Sequence, residues 1–446
     1  MHGVLPILMM MVMVMLTGCS NDDDYRAPYT PDTSCDFSFT YKDGTRGDVY
    51  IVQQHTKGSN GFPVVIMGDG FSQKDIDDGE YKEAVSNAIK ALTMQKPMKD
   101  LVEYLDIYSV VVVSEESGID YNKHNTAFKT YLESKENTNV IGDTTKIRIF
   151  TYCSLREDLN RFHNALTIML LNSADYAGVT LMSIDTTVVD TIPQGWSLSF
   201  IPAYATVSNG ENVFNELVLH EAVGHGIGKL GDEYWYNEPL QKQKEDTVFY
   251  KQSRKSGCLT NIKYFHNEET GSWDPKYIYK ADNVEKYYIQ RSVDAEDDIL
   301  VPFANDGRYA SEEHKWIQGG YTYITLTDSP CGEQYEYTDE KGKKKVIEPN
   351  KCKAIFYRSS NVSMMGDVVN YVDLQFNILS RLAIYKRINR VANGAGWKYD
   401  FETFAKFDKG ESTTKSANTF KMPSTTKQRI IRESEKQLTR PKIILE

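Results

Sequence analysis

The segment "ELVLHEAVGHGIGKLGDEYWY", residues 216–236, restricts the fold and chemistry of this chain more than any other stretch. His220 and Glu221 are adjacent, as in the H-E-x-x-H motif of zinc hydrolases. The second histidine, His225, follows His220 by five positions, whereas the motif has four. On a regular α-helix, at about 100° per residue, side chains five positions apart point roughly 140° away from each other. Two imidazoles so placed cannot hold one metal ion.

One local distortion of the helix would remove this conflict. A π-type turn closes with an i→i+5 hydrogen bond, so it contains one extra residue, and such turns favour functional sites. Gly224, directly before His225, is a poor helix former and eases the distortion. We therefore predict a widened turn around Val223 and Gly224 that brings the two imidazoles together. The competing interpretation is a plain helix with a Glu221–His225 ion pair.

The residues after the helix favour a metal site. Gly226 and Gly228 predict that the helix ends in a sharp turn, and Asp232-Glu233-Tyr234 then offers acidic oxygens for a third ligand. A zinc hydrolase needs such ligands, one coordination position open for water, and a carboxylate beside that water as base.

The order of these residues resembles the signature of the IgA-peptidase-type zinc metallo-endopeptidases, a His-Glu helix, a Gly-containing turn and then Leu-x-Asp-Glu-Tyr. The matching residues are His220, Glu221, His225, Gly228, Leu230, Asp232, Glu233 and Tyr234. Further segments that resemble the family are "VVIMGDGFSQKDI", "VVVVSEESGID", "NTAF", "NDGRYA", "WIQGGYTY" and "YRSSNVSMMGD". The likeness extends over about residues 63–392.

This resemblance implies a zinc site and a role for each ligand. His220 and His225 would bind the ion, and Asp232 would be the third ligand, with Glu233 as the alternative. Glu221 would be the general base that takes a proton from the attacking water. Zn²⁺ is therefore the expected cofactor, and a protein or peptide is the expected substrate.

Two further groups of residues complete the expected site. "SMMGD" matches the segment that contains the family's Met-turn, so Met364 or Met365 would lie beneath the metal. Either is equally explained as an ordinary core methionine. A tyrosine would stabilise the oxyanion or contact the substrate, and the unranked candidates are Tyr321, Tyr323 and Tyr357.

The apolar runs predict an α/β (α+β) fold with a mixed sheet. Strands are expected in "FPVVIMGDGF", "LDIYSVVVVS", "AGVTLMSID" and "WSLSFIPAYAT", and helices over residues 80–95, in "LREDLNRFHNALTIMLLNSA" and after Asn370. The resemblance adds a zincin or metzincin-like catalytic domain with an active-site helix and a Met-turn. "SLSFIPAYA" is interpreted as an edge strand that binds an extended peptide, or as a plain sheet edge.

The first residues predict export. Residues 4–16 are an apolar run too short for a confident membrane span, and they fit the core of a signal peptide. "LTGC" then resembles a bacterial lipobox, whose Cys19 would carry the lipid. We expect an outer-membrane lipoprotein exposed at the cell surface; a secretory signal with an incidental cysteine is the alternative. The net charge of -11 argues against nucleic acid as the main partner.

The six cysteines allow one internal disulfide to be suggested. Removing Cys19 leaves an odd number, so at least one thiol is free or pairs outside the chain. Cys331 and Cys352 flank a charged stretch and are either a pair, which export permits, or two free thiols.

These features divide the chain into five expected segments. They are a signal peptide over residues 1–18, a lipidated flexible tether over 19–35, a short N-terminal β segment over 36–62, a zinc metallopeptidase catalytic domain over 63–400 and a C-terminal surface extension over 401–446. The sequence does not indicate an oligomeric state.

The leading hypothesis is a zinc-dependent endopeptidase that hydrolyses peptide bonds of extracellular proteins, host proteins among them. One alternative is a surface lipoprotein that binds glycan or protein through a degenerate, metal-free site. Another is a zinc amidase or carboxypeptidase that acts on cell-wall peptides. The joint presence of both histidines, Glu221 and Asp232 favours a working metal site over a degenerate one.

Overall fold

Strands and helices alternate through the first half of the chain. The computed structural model describes residues 35–184, 192–208, 210–233, 261–264, 290–291, 298–300, 324–326, 335–338, 344–347, 356–358, 363–366, 374–410 and 441–445. The strands up to the first gap and just beyond it are β1 (Ser38–Thr40), β2 (Arg46–Gln53), β3 (Phe62–Asp69), β4 (Leu105–Val111), β5 (Tyr131–Leu132), β6 (Val140–Ile141), β7 (Leu166–Leu171), β8 (Val179–Ile184) and β9 (Ser197–Pro202).

The helices are α1 (Gln73–Asp77), α2 (Glu80–Leu92), α3 (Met98–Leu101), α4 (Thr144–Ser154), α5 (Leu159–Asn164), α6 (Phe214–Leu217), α7 (Ile378–Asn393) and α8 (Phe401–Lys409), with a 3-10 turn at Val102–Tyr104 and a π-helix at Val218–Ile227. The later strands are β10 (Ile262–Tyr264), β11 (Gln290–Arg291), β12 (Asp298–Leu300), β13 (Ile324–Leu326), β14 (Tyr335–Thr338), β15 (Lys344–Ile347), β16 (Phe356–Arg358) and β17 (Lys442–Leu445). Among the described residues, no helix is both long and apolar enough to cross a bilayer.

One mixed sheet of eight strands organises the fold, in the order β1-β2-β4-β3-β7-β9-β8-β17. Strands β4, β3, β7 and β9 are parallel neighbours, whereas β8 runs antiparallel to β9. This sheet, with helices on both sides, confirms the α/β fold predicted from the sequence. The smaller sheets are β10-β16-β13-β12-β11, β14-β15 and β5-β6.

Strands β3, β7 and β9 are buried along their whole length because both faces of the sheet are covered. On β3, Val64 and Ile66 pack into one core with α2 and the π-helix. Val65 and Met67 pack into a second core with α4 on the other face. A strand with two buried faces needs a continuous apolar run, which is the pattern that predicted β3.

The four expected strands are present as β3, β4, β8 and β9, but two predictions in this region are wrong. "LREDLNRFHNALTIMLLNSA" is helical only at α5, and its second half is the central strand β7. A six-residue apolar run has no periodicity that separates a buried strand from a buried helix. The edge-strand prediction for "SLSFIPAYA" is also wrong, because β9 lies between β7 and β8. Its backbone is paired on both sides and cannot accept a further strand.

The segments expected to flank the catalytic domain take part in the same sheet. Residues 36–62 supply β1 and β2, and β17 pairs in parallel with β8. The C-terminal extension therefore contributes an edge strand, in contrast to the surface extension we expected. Arg381 of α7 binds Asp408 of α8 with Nε–Oδ1 and Nη2–Oδ2 distances of 2.6 and 2.8 Å.

A disulfide joins Cys35, just before β1, to Cys153 in α4, with a Cα–Cα distance of 4.7 Å. The sequence did not predict this bond because connectivity cannot be deduced from cysteine spacing alone. Cys331 and Cys352 lie outside the described residues, so their pairing stays a prediction.

Candidate metal centre

The helix that carries both histidines is wound as a π-helix. α6 continues directly into Val218–Ile227, and we call residues 214–227 the site helix. The Gly228 amide, at its end, donates to the Val223 carbonyl at 2.8 Å, a separation of five residues. The widened turn predicted from the histidine spacing is therefore present, and it extends further than the single turn expected. It brings the His220 and His225 ring centroids within 4.8 Å of each other.

Three buried side chains meet at this point. His220, His225 and Asp232 each offer a ligand atom, and these atoms lie within 4.8 Å of one another. Asp232 Oδ1 is 2.9 Å from His220 Nε2 and 3.2 Å from His225 Nε2. We call these three residues the ligand cluster.

The second ring nitrogen of each histidine is held by a backbone carbonyl. His220 Nδ1 lies 2.8 Å from the Met364 oxygen, and His225 Nδ1 lies 2.8 Å from the Leu230 oxygen. A carbonyl can only accept, so each Nδ1 donates, and in the neutral imidazole each Nε2 keeps its lone pair. Two such nitrogens and one carboxylate oxygen facing each other form a site for a cation, with the second ring nitrogen held as in known metal sites. The residues present therefore fit a metal ion.

In the metal-free protein a proton takes the place of the cation. Burial by itself lowers the pKa of His220, but the Asp232 carboxylate outweighs it and raises this pKa to about 9. Burial by itself raises the pKa of Asp232, but His225 and His220 hold it well below its usual range. The shifts of His220 and Asp232 have a shared cause, the attraction between the Asp232 carboxylate and a protonated imidazole beside it.

Glu233, the alternative third ligand, is engaged elsewhere. Its fully buried carboxylate accepts hydrogen bonds from Asn261 Nδ2 at 2.9 Å, from Ser363 Oγ at 2.6 Å, and from Asn377 Nδ2 at 2.8 and 3.0 Å. Its backbone amide donates to the Met365 oxygen at 2.7 Å. The Glu233 carboxylate thus joins three distant segments of the chain, and the geometry favours Asp232 as the metal ligand.

Both expected Met-turn residues lie against the site helix and are fully buried. The Met364 carbonyl holds His220, and the Met365 side chain occupies the space that a side chain at Gly224 would need. A glycine at position 224 therefore has two functions. It makes the π-helical winding easier to adopt, and it leaves room for the Met365 side chain. Both methionines are part of the core, and their role as a Met-turn beneath a metal stays a prediction.

Glu221 follows the first ligand and is almost fully buried. Its Oε2 lies 2.7 Å from the hydroxyl of Thr180 on β8. Tyr357 lies in β16, between β10 and β13, and nothing is described of its side chain. Cys19, Tyr321 and Tyr323 lie outside the described residues.

Several residues that hold the site were missed by sequence reasoning. They are Thr180, Ser199, Asn261, Ser363, Asn377 and Arg387. Arg387 of α7 donates to the Gly226 and Ile227 carbonyls at 2.7 and 2.8 Å, where the site helix ends. The one available signal was the presence of serine and threonine inside the otherwise apolar runs of β8 and β9.

The profile of one known family, IgA peptidase M64, matches residues 51–275, half of the chain. The chain belongs to the IgA peptidase M64 family. The matched region includes β3 to β9, the site helix and the ligand cluster. No curated protein matches the chain. Membership confirms the resemblance predicted from the sequence, and it identifies the protein as a metallopeptidase that acts on proteins or peptides.

A side chain at Gly224 should disturb the ligand cluster from below. A Cβ there would overlap the Met365 sulfur and lie 2.8 Å from the Met365 Cε. We expect Gly224→Ala to weaken metal binding and to lower the free energy of unfolding by about 1–3 kcal/mol. Competition with a chromophoric chelator and urea denaturation measure these two changes. Gly396→Ala, where no atom lies within 4 Å, is the control. If Gly224→Ala, like the control, keeps the metal affinity and the free energy of unfolding of wild type, the close approach of Met365 to Gly224 is not required.

Metal binding should release a proton at neutral pH. The metal-free cluster holds a proton on His220, whose pKa of about 9 exceeds its ordinary value, and a metal ion must displace it. Titration calorimetry with zinc at pH 7.5, in buffers of different ionisation enthalpy, should show about one proton released per ion. The number released should fall as the pH rises through about 9.

Stability of the metal-free protein supplies the control for this prediction. Because folding raises the pKa of His220, its contact with Asp232 stabilises the fold fully below about pH 6.5, and this stabilisation is lost as the pH rises through about 9. Urea denaturation should show the decline in wild type and a flatter profile in His220→Asn. Metal binding without proton release at pH 7.5 would disprove the protonated cluster.

Proposed function

We propose that this metallopeptidase is a zinc-dependent endopeptidase that cleaves extracellular proteins. The observation that carries the proposal is the convergence of His220 Nε2 and His225 Nε2 on Asp232 Oδ1, at 2.9 and 3.2 Å. Three protein ligands of this kind leave a coordination position open, as catalytic zinc sites require. A buried carboxylate, Glu221, directly follows the first ligand in the chain.

The choice of zinc rests on the donor set together with the family. Two imidazoles and one carboxylate suit zinc, but the same set also holds iron(II) in oxygenases. Peptide hydrolysis needs no redox change, and a neighbouring carboxylate base serves a hydrolase. These two points favour zinc, with His220, His225 and Asp232 as its ligands.

Glu221 would supply the proton transfers of the reaction. When bound, zinc lowers the pKa of water and polarises a carbonyl. Glu221 would accept a proton from the water that attacks the peptide carbonyl, and would then deliver it to the leaving amine. Met364 would keep the His220 ring in the tautomer that leaves Nε2 free. A tyrosine on the oxyanion remains part of the proposal, with Tyr321, Tyr323 and Tyr357 as candidates.

The extracellular location is proposed from the N-terminal sequence and is supported by one structural feature. The Cys35–Cys153 disulfide is of a kind that forms and persists in oxidising compartments outside the cytosol. We propose that Cys19 carries a lipid and that the protein is held on the outer membrane, facing outward. Its substrates would then be proteins that reach the cell surface.

Metal content and activity should separate the roles of the site residues. His225→Ala should lose the metal, because the two remaining ligands bind zinc weakly. Glu221→Gln should keep the metal and lower kcat by roughly 10²–10⁴-fold. Elemental analysis and digestion of a proteome-derived peptide library, with zinc and with a chelator, measure both. His124→Ala, which alters a histidine paired with Asp120 and Glu116, should change neither.

The same library distinguishes the alternatives. Internal cleavages support an endopeptidase, whereas removal of single C-terminal residues would indicate a carboxypeptidase. A native protein without metal that binds glycan or protein would overturn the proposal, and iron in place of zinc would overturn the choice of metal. Undiminished activity of Glu221→Gln would remove this residue as the base.

Replacement of Cys19 should release the protein from membranes. A lipid chain contributes about 0.8 kcal/mol per buried CH₂, and nothing else near the N-terminus is proposed to bind the bilayer. Cell fractionation should find the wild type with the outer membrane and Cys19→Ala in the soluble fraction. Cys331→Ala is the matched control and should remain with the membrane. An unchanged distribution of Cys19→Ala would exclude the lipid anchor.

A further inference from the structure

Two hydroxyl side chains of the central sheet face the site helix as a pair. Thr180 on β8 and Ser199 on β9 are directly opposite each other in the antiparallel register. Both are fully buried, and their oxygens lie 2.8 Å apart. Buried hydroxyls in an apolar sheet need hydrogen-bond partners, and these two find theirs on one residue of the helix, Glu221.

The pair contacts Glu221 at both its side chain and its backbone. Thr180 Oγ1 lies 2.7 Å from Oε2 of the carboxylate and 3.0 Å from the Glu221 carbonyl oxygen. Ser199 Oγ lies 3.2 Å from the same carbonyl oxygen. The sheet thus contacts the two ends of this glutamate, its main chain and its carboxylate.

The two hydroxyls have two protons to share among these contacts, which limits the direction of each hydrogen bond. Each hydroxyl has one O–H to donate, whereas an ionised carboxylate and a carbonyl can only accept. The short contact to Oε2 takes the Thr180 proton, because a hydrogen bond to a charged acceptor is the stronger one. Ser199 then donates to the Glu221 carbonyl or to Thr180 Oγ1. When Ser199 donates to Thr180 Oγ1, the nearer of the two acceptors at 2.8 Å, it leaves the Thr180 proton directed to the carboxylate.

We propose that Thr180 is a positioning residue for Glu221, with Ser199 as its support. The inference rests on the proposed function, in which Glu221 moves a proton between water and the leaving amine. A glutamate side chain has several rotatable bonds, and proton transfer requires its carboxylate within hydrogen-bond reach of the reacting group. The Thr180 hydroxyl holds Oε2 from the sheet side, so that one orientation of the carboxylate is kept before substrate binds.

The decisive variant is Thr180→Val, which removes the hydroxyl and keeps the shape of the side chain. We expect kcat for an internally cleaved peptide to fall roughly 10- to 100-fold, as for loss of a hydrogen bond to a charged group. KM and zinc content should stay within about twofold of wild type, since no metal ligand or peptide contact is removed. Thr180→Ser keeps the hydroxyl and should recover most of kcat.

Thr167→Val is the matched control for loss of a buried hydroxyl. Thr167 lies on β7 and is fully buried, and its hydroxyl contacts Thr151 Oγ1 at 2.8 Å and Trp196 Nε1 at 2.9 Å. It does not contact Glu221, so Thr167→Val should lower the melting temperature and leave kcat unchanged. Ser199→Ala should give a smaller fall in kcat than Thr180→Val, because it removes the support and keeps the direct contact.

The outcomes separate this inference from the function on which it rests. If wild type cleaves peptides and Glu221→Gln does not, but Thr180→Val keeps kcat within twofold, the positioning role is wrong and the base assignment stands. If Thr180→Ser is as slow as Thr180→Val, the effect comes from packing and the hydroxyl has no role. If Glu221→Gln remains active, the proposed base fails, and the role of Thr180 fails with it.

Discussion

The ligand cluster depends on how one helix is wound. His220 and His225 reach the same oxygen of Asp232 because Val218–Ile227 follows a π-helical course. Such a course is rare and short in most proteins, so a ten-residue π-helix needs support from what surrounds it. Here the support comes from the sheet through Thr180 and Ser199, from α7 through Arg387, and from the side chain of Met365.

The adjacent carboxylates of Asp232 and Glu233 have different roles in this region. Asp232 contacts the imidazoles that we propose as metal ligands, whereas the described side-chain partners of Glu233 belong to three other segments. The two carboxylates therefore have different described partners although their residues are adjacent in the chain. One peptide unit thus connects the ligand cluster with the segment that contains Ser363 and Met365.

The residues that bind the metal in our proposal could be predicted from the sequence, whereas most of the residues that hold them in place could not. The spacing of His220 and His225 required a widened turn, and the structure contains one, because ligand geometry follows from residue type and helix winding. The partners of the imidazole Nδ1 atoms could not be predicted, because both are backbone carbonyls and every residue has one. Arg387 and Thr180 were missed for a related reason, since no spacing rule connects them to the histidines. The confusion of β7 with a helix, and of β9 with an edge strand, arose because strand order is set by long-range pairing that a local pattern does not report.

The carbonyl that holds His220 belongs to Met364, which lies 144 residues further along the chain. The hydrogen bonds from Asn377 to Glu233 close a loop of equal length. During synthesis the histidines and Asp232 emerge well before these partners, and contacts between distant residues form late in folding. The centre that would cut peptide bonds is therefore completed only after the chain has been made and folded as far as Asn377. A nascent chain holds the ligands without their final geometry, and the order of residues along the chain delays the assembly of the active site.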